Sequence, residues 1–118
     1  MPRIFKTSWF TRAARKAKIS DNDLARAIEQ VERRQVDDLG GGVFKKRLND
    51  NRHRSIIIAR HDEYWVFVYL FAKQDRANIE ADELEAFRRL AALYRRKTDV
   101  EIQTELGSGA LQEVRRDD

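Results

Sequence analysis

Lys45 and Arg47 stand two residues apart in the run Val43-Phe44-Lys45-Lys46-Arg47-Leu48, and a strand there turns both onto one face, away from Phe44 and Leu48. Arg52, His53 and Arg54 follow the turn-forming triplet Asn49-Asp50-Asn51, so a tight hairpin would bring Arg54 close to Arg47. Lys73 and Arg76 come at the exit of a later apolar stretch. Lys45, Arg47, Arg54, Lys73 and Arg76 are therefore expected to converge on one end of a small sheet as catalytic candidates, with Lys46, Arg52 and Arg60 as RNA-binding candidates. Such a set suits cleavage of RNA by its own 2′-hydroxyl. That reaction needs the hydroxyl activated, the leaving 5′-oxygen protonated and the added charge on phosphorus neutralised, none of which requires a metal. Arg47 and Arg54 offer planar bidentate donors to a phosphate, and Lys45 can act as base if its cationic neighbours lower its pKa. His53 titrates in a useful range but precedes Arg54 on the strand, so it faces the other way and takes a structural or turn role. His61 reads as a surface residue, and two separated histidines do not suggest a metal site. No cofactor is expected. The bland reading of the cations is a solvated face, or one that docks an acidic peptide, with only Asp50 and Asp75 as nearby acids.

The rest of the chain must position these residues. At 118 residues it is the size of one domain, with 42% hydrophobic and 37% charged residues, which argues for a folded chain with a heavily solvated surface. The apolar run from Tyr64 to Ala72 is half of what a membrane crossing needs, and no apolar signal core opens the chain, so a cytoplasmic location is expected. There is no cysteine, which removes thiol nucleophiles and cysteine metal sites. A net charge of +4 suits a polyanionic partner without proving one.

Ile4 to Thr7 reads as a short strand, and Ser8 as the cap of a helix carrying Trp9, Phe10, Ala13, Ala14 and Ala17. Ser20 with Asp23 forms a capping box ahead of Leu24, Ala27, Ile28 and Val31, which repeat at helical spacing. The outer face of that helix, with Arg26, Glu29, Glu32, Arg33 and Arg34, reads first as a solvated surface, with an antitoxin-facing or rRNA-facing surface as the alternative. Gly40, Gly41 and Gly42 follow a helix and precede a strand, the reverse of a phosphate-cradling loop, so they read as a plain connection. Val43–Leu48, Ser55–Ala59 and Tyr64–Phe71 should pair as an antiparallel meander. Asp82 can cap a last helix with the stripe Leu84, Phe87, Leu90, Leu93 and Tyr94, ending in Arg95, Arg96 and Lys97. The expected fold is α+β: strand, two helices, three-stranded meander, helix, in a domain of residues 1–97 with a flexible tail over 98–118.

The segments Leu39–Leu48, Arg52–Ile57, Phe71–Ile79 and the helix Glu83–Ala91 resemble the HigB-like branch of the RelE/ParE toxins, over about residues 2 to 96. The run Phe-Ala-Lys-x-Asp-Arg-Ala-Asn-Ile is the most specific part. The resemblance implies a RelE-like fold, a type II toxin–antitoxin system, and ribosome-dependent cleavage of mRNA in the A site. It also implies that Lys45, Arg47 and Arg54 bind and polarise the scissile phosphate. Many RelE-type enzymes place a tyrosine or histidine after the last strand, where this chain has Lys73, Asp75, Arg76 and Glu80. The implied partners are mRNA, the ribosome and a cognate antitoxin of helix-turn-helix type. Two other readings share the fold: a ParE-like gyrase inhibitor, against which the basic trio argues, and a non-catalytic nucleic-acid or antitoxin-binding domain.

Overall fold

Ile56, Ile57 and Ile58 are consecutive in one strand and all buried, which requires cover on both faces of the sheet that holds them. The computed structural model describes residues 2–116 and shows that cover. Among these residues the order is β1 (Arg3–Thr7), α1 (Ser8–Lys16), α2 (Asp21–Glu32), β2 (Asp37–Gly40), β3 (Val43–Leu48), β4 (His53–Arg60), β5 (Tyr64–Ala72), α3 (Ala81–Arg96), α4 (Asp99–Ser108) and β6 (Leu111–Glu113). The strands form one sheet in the order β2-β3-β4-β5-β1-β6. β1 runs parallel to β5, and every other neighbouring pair is antiparallel. No helix among the described residues is long and apolar enough to cross a membrane.

Each face carries its own core. Phe10 and Ala14 of α1 and Leu24, Ile28 and Val31 of α2 pack on Leu48, Ile57, Phe67 and Leu70. Ala91 and Tyr94 of α3 and Ile102 of α4 pack on Val43, Ile56, Ile58, Val66 and Val68 on the opposite face. The expected α+β class and meander hold, and β3 has the expected bounds.

Four features depart from the sequence reading. The face of β3 that carries Lys45 and Arg47 is not a bare surface, because α3 lies over its other end and buries Val43. A single strand's alternation does not reveal a second helical layer. The glycine segment is a hairpin: Asp37–Gly40 pairs with β3, and Gly41 and Gly42, both at positive φ, make the two-residue turn. The region expected to be a flexible tail instead folds as α4 and β6, with β6 completing the sheet beside β1. Its physical anchors are Ile102, Leu111 and Val114, all buried, and Thr98, whose side chain caps α4. Residues 117 and 118 of the expected tail lie outside the described residues. The fourth departure concerns caps. Thr7 rather than Ser8 caps α1 through its Oγ1, which accepts from Phe10 N–H, and Glu80 rather than Asp82 precedes α3.

Candidate active site

Asn49, Asp50 and Asn51 all adopt positive φ, which lets β3 reverse into β4 with Arg47 directly opposite Arg54. Directly opposed residues on antiparallel strands share a face, so both arginines leave the sheet on the same side. Lys45 and Ile56 form the next pair on that face, and across β5 Arg54 and Ile56 meet Phe71 and Tyr69. β3 beyond Lys45 has no partner on its outer edge, because β2 pairs only as far as Asp37. Arg47 stands on this free margin, exposed and without a hydrogen-bond or ion-pair partner among the described residues.

Arg54 donates from Nη1 to the Asn51 carbonyl at 3.0 Å and the His53 carbonyl at 3.2 Å, with no acidic partner among the described residues. Both bonds use one nitrogen, so the rest of the fork is free for a phosphate. Lys45 donates to Asn78 Oδ1 at 3.3 Å, and the Asp37 carboxylate stands 3.9 Å from its ammonium. The acid beside the trio is thus Asp37, brought by β2, and neither Asp50 nor Asp75.

Arg76 belongs to the same face but is fully engaged. Its two terminal nitrogens meet Glu83 at 2.5 and 3.1 Å, its Nε donates to the Asn78 carbonyl, and Nη1 also donates to the Tyr69 hydroxyl at 3.3 Å. The bond to Glu83 raises the Arg76 pKa and, in return, holds the Glu83 carboxyl below its ordinary range, helped by the Glu80 N–H. Arg76 therefore fixes the loop before α3 and orients Tyr69. Tyr69, Asn78, Glu83 and Asp37 were not among the sequence candidates. The alternation of β5 places Tyr69 on a face only once the opposite cover is known, and the others become neighbours only through tertiary contact.

The remaining sequence candidates lie elsewhere. Lys46 points to the α2 side and donates to the Gln35 carbonyl, and burial followed by the Arg47 charge lowers its pKa. Arg52 braces the turn through the Asn49 carbonyl and side chain. Lys73 is exposed and, with Arg52 and His53, lines an open groove of about 610 Å³ at this end of the molecule. Arg60 is at the other end of β4, donating to the Lys97 carbonyl and paired with Glu63, so the structure does not bring it to the cluster. His53 faces the α1 and α2 side opposite Leu48, with its Nδ1 3.2 Å from Asn49 Nδ2, as its place in the alternation predicts.

The sequence resemblance implied a RelE-like fold with Lys45, Arg47 and Arg54 gathered at one end of the sheet, and the comparison with known families decides the family. The model of a family described as the RelE toxin of the RelE/RelB toxin–antitoxin system matches residues 2–114. The chain belongs to the RelE toxin family. No curated protein and no solved structure gives a significant match. The RelE match runs from the residue before β1 to Val114, so it takes in α4 and β6 as well as the cationic end. Membership makes this a toxin of a toxin–antitoxin system and implies a cognate antitoxin of RelB type.

Proposed function

We propose that this RelE-family chain is a ribosome-dependent mRNA endonuclease that cleaves by 2′-hydroxyl attack, with Lys45, Arg47 and Arg54 gathering on the scissile phosphate. The observation that carries the reading is the register pair Arg47 and Arg54, two arginines with no acidic partner among the described residues, on one face beside Lys45. Negative charge that develops on the phosphoryl oxygens would meet preorganised donors there. Lys45 is the member of the trio that can release a proton and so is the candidate base. The Tyr69 hydroxyl accepts from Arg76 and keeps its own proton to donate, which makes it the candidate acid for the leaving 5′-oxygen. It stands in for the tyrosine or histidine that the sequence lacks after the last strand. Action on ribosome-bound mRNA would place this work in the cytoplasm. The run Phe71–Ile79 favours the HigB-like branch, and the basic surface suits an acidic segment of a helix-turn-helix antitoxin.

Primer extension on a defined mRNA, with programmed ribosomes and with naked RNA, tests the reading. Cuts in the A site that need ribosomes and vanish in Lys45→Ala and Arg54→Ala are expected. Intact mRNA with folded, antitoxin-free protein would shift the assignment to gyrase inhibition or to binding without cleavage.

A further inference from the structure

Trp9 is 43% exposed, although a large aromatic residue gains most from burial. Its neighbours Phe10 and Thr11 enter the core, so the first turn of α1 presents the indole away from the packed side. Among the described residues the other exposed large apolar side chains are Leu93 in the last turn of α3 and Val100 in the first turn of α4, both aliphatic. Trp9 differs in chemistry and in place. α1 follows the C-terminal end of β1, and β1 is parallel to β5, so Trp9 lies at the end of the sheet where β5 presents Tyr69 and Phe71. The indole stacks on the Tyr69 ring, with centroids 5.0 Å apart and planes 26° from parallel. Tyr69 is in turn held by Phe71, Phe87 and the Arg76 bond to its hydroxyl. The result is an aromatic surface with a fixed orientation on the side of the sheet that carries Arg54, which pairs with Phe71 in the next strand, and Arg47 one strand beyond.

We infer that Trp9 is the platform on which an unpaired base of the RNA stacks while the adjoining phosphate lies against Arg47 and Arg54. The inference rests on the endonuclease reading for its substrate and adds the residue that would position it. Single-stranded RNA is held by this combination, a cationic track for the backbone and an aromatic plane for the base. A base stacked on Trp9 would be splayed from its neighbour. That arrangement helps bring a 2′-hydroxyl into line with the phosphorus it attacks.

The test uses ribosomes programmed with an mRNA whose A-site codon carries 4-thiouridine and 2′-O-methyl groups, so that it binds but cannot be cut by 2′-hydroxyl attack. Irradiation with the full-length toxin and peptide mapping of the adduct are expected to place the cross-link on Trp9. In parallel, cleavage of the unmodified mRNA is measured for wild type, Trp9→Phe and Trp9→Leu, each first shown to keep the wild-type thermal transition. Leucine preserves packing on Tyr69 and removes the stacking plane. It should raise KM roughly 5- to 100-fold, the range for loss of one stacked base, with kcat changed less, while phenylalanine retains most of the affinity. A bound toxin cross-linked elsewhere, with Trp9→Leu at wild-type KM, would overturn the platform and leave the endonuclease reading intact. A Trp9 adduct with no cutting of the unmodified mRNA would support the platform and remove the endonuclease reading.

Discussion

Arg54 carries the sharpest prediction at the scale of single residues. Its two hydrogen bonds go to carbonyls at the rim of the turn, so Arg54→Ala should cost about 1 kcal/mol of stability at most. If the guanidinium stabilises charge on the phosphate, the same change should lower kcat by about 10²- to 10³-fold, measured on programmed ribosomes. Unchanged cleavage by the folded variant would remove Arg54 from the site. His53 gives a prediction in pH. Burial, then the Arg52 charge, pushes its imidazole below the ordinary value of 6.5, while Asp75 opposes the shift. The unfolded chain takes up this proton first as pH falls, so His53 contributes stability that is complete above about pH 6.5 and lost as pH drops through the lower folded value. Thermal midpoints of wild type should therefore fall across the mildly acidic range more steeply than those of His53→Asn, and parallel curves would refute the linkage. Both residues were legible in the sequence because strand alternation assigns them opposite faces. Tyr69 and Trp9 were not, because their value depends on a contact between α1 and β5 that no local pattern encodes.

The β2–β3 hairpin shows how one element anchors another. Arg88 of α3 donates to the Leu39 carbonyl at 2.5 Å and Arg95 to the Gly41 carbonyl at 3.2 Å, so the helix over the second face is tied to the glycine turn. Gly42 has φ +81, and a Cβ there would meet the Arg95 guanidinium at 2.8 Å, a flexible end that can move aside. The cost of Gly42→Ala is therefore mainly the left-handed backbone, about 1–2 kcal/mol, and urea unfolding should show that loss. A variant as stable as wild type would mean that the turn tolerates another conformation. The glycines were legible as a break but not as a hairpin. β2 has only four residues, with exposed Asp37 and Asp38, and becomes a strand only because β3 offers its edge.

For the molecule as a whole, the C-terminal segment closes the structure. Ile102, Leu111 and Val114 are buried, β6 covers the outer edge of β1, and Tyr94 donates to Glu105 at 2.8 Å, joining α3 to α4. Buried aliphatic side chains contribute about 1.5–3 kcal/mol each. Three of them are a large share of the about 5–15 kcal/mol that holds a domain folded. A chain ending at Lys97 should therefore lose its cooperative thermal transition, as followed by circular dichroism. A truncated chain that melts as sharply as the full one would show that residues 99–114 are dispensable for folding. The net charge of +4, with Arg47 and Arg54 lacking acidic partners among the described residues, also predicts that toxin binding to programmed ribosomes weakens as salt rises. Binding indifferent to salt would argue against phosphate contact.

The sequence by itself determined the meander, the capping box at Ser20, and the placing of Lys45, Arg47 and Arg54 on one face. These follow from periodicity, turn residues and register, which act between close neighbours in the chain. It also carried the family, through runs of residue types that the match to residues 2–114 bears out. Tertiary structure alone decided which acids face the cations, that Arg76 is held by Glu83, and that Arg60 lies at the far end of β4 from the cluster. It also decided that α4 and β6 join the fold. Their helix has a weak apolar stripe and their strand three residues, so neither is stable until Ile102 and Leu111 find the surface that β1 and α3 provide.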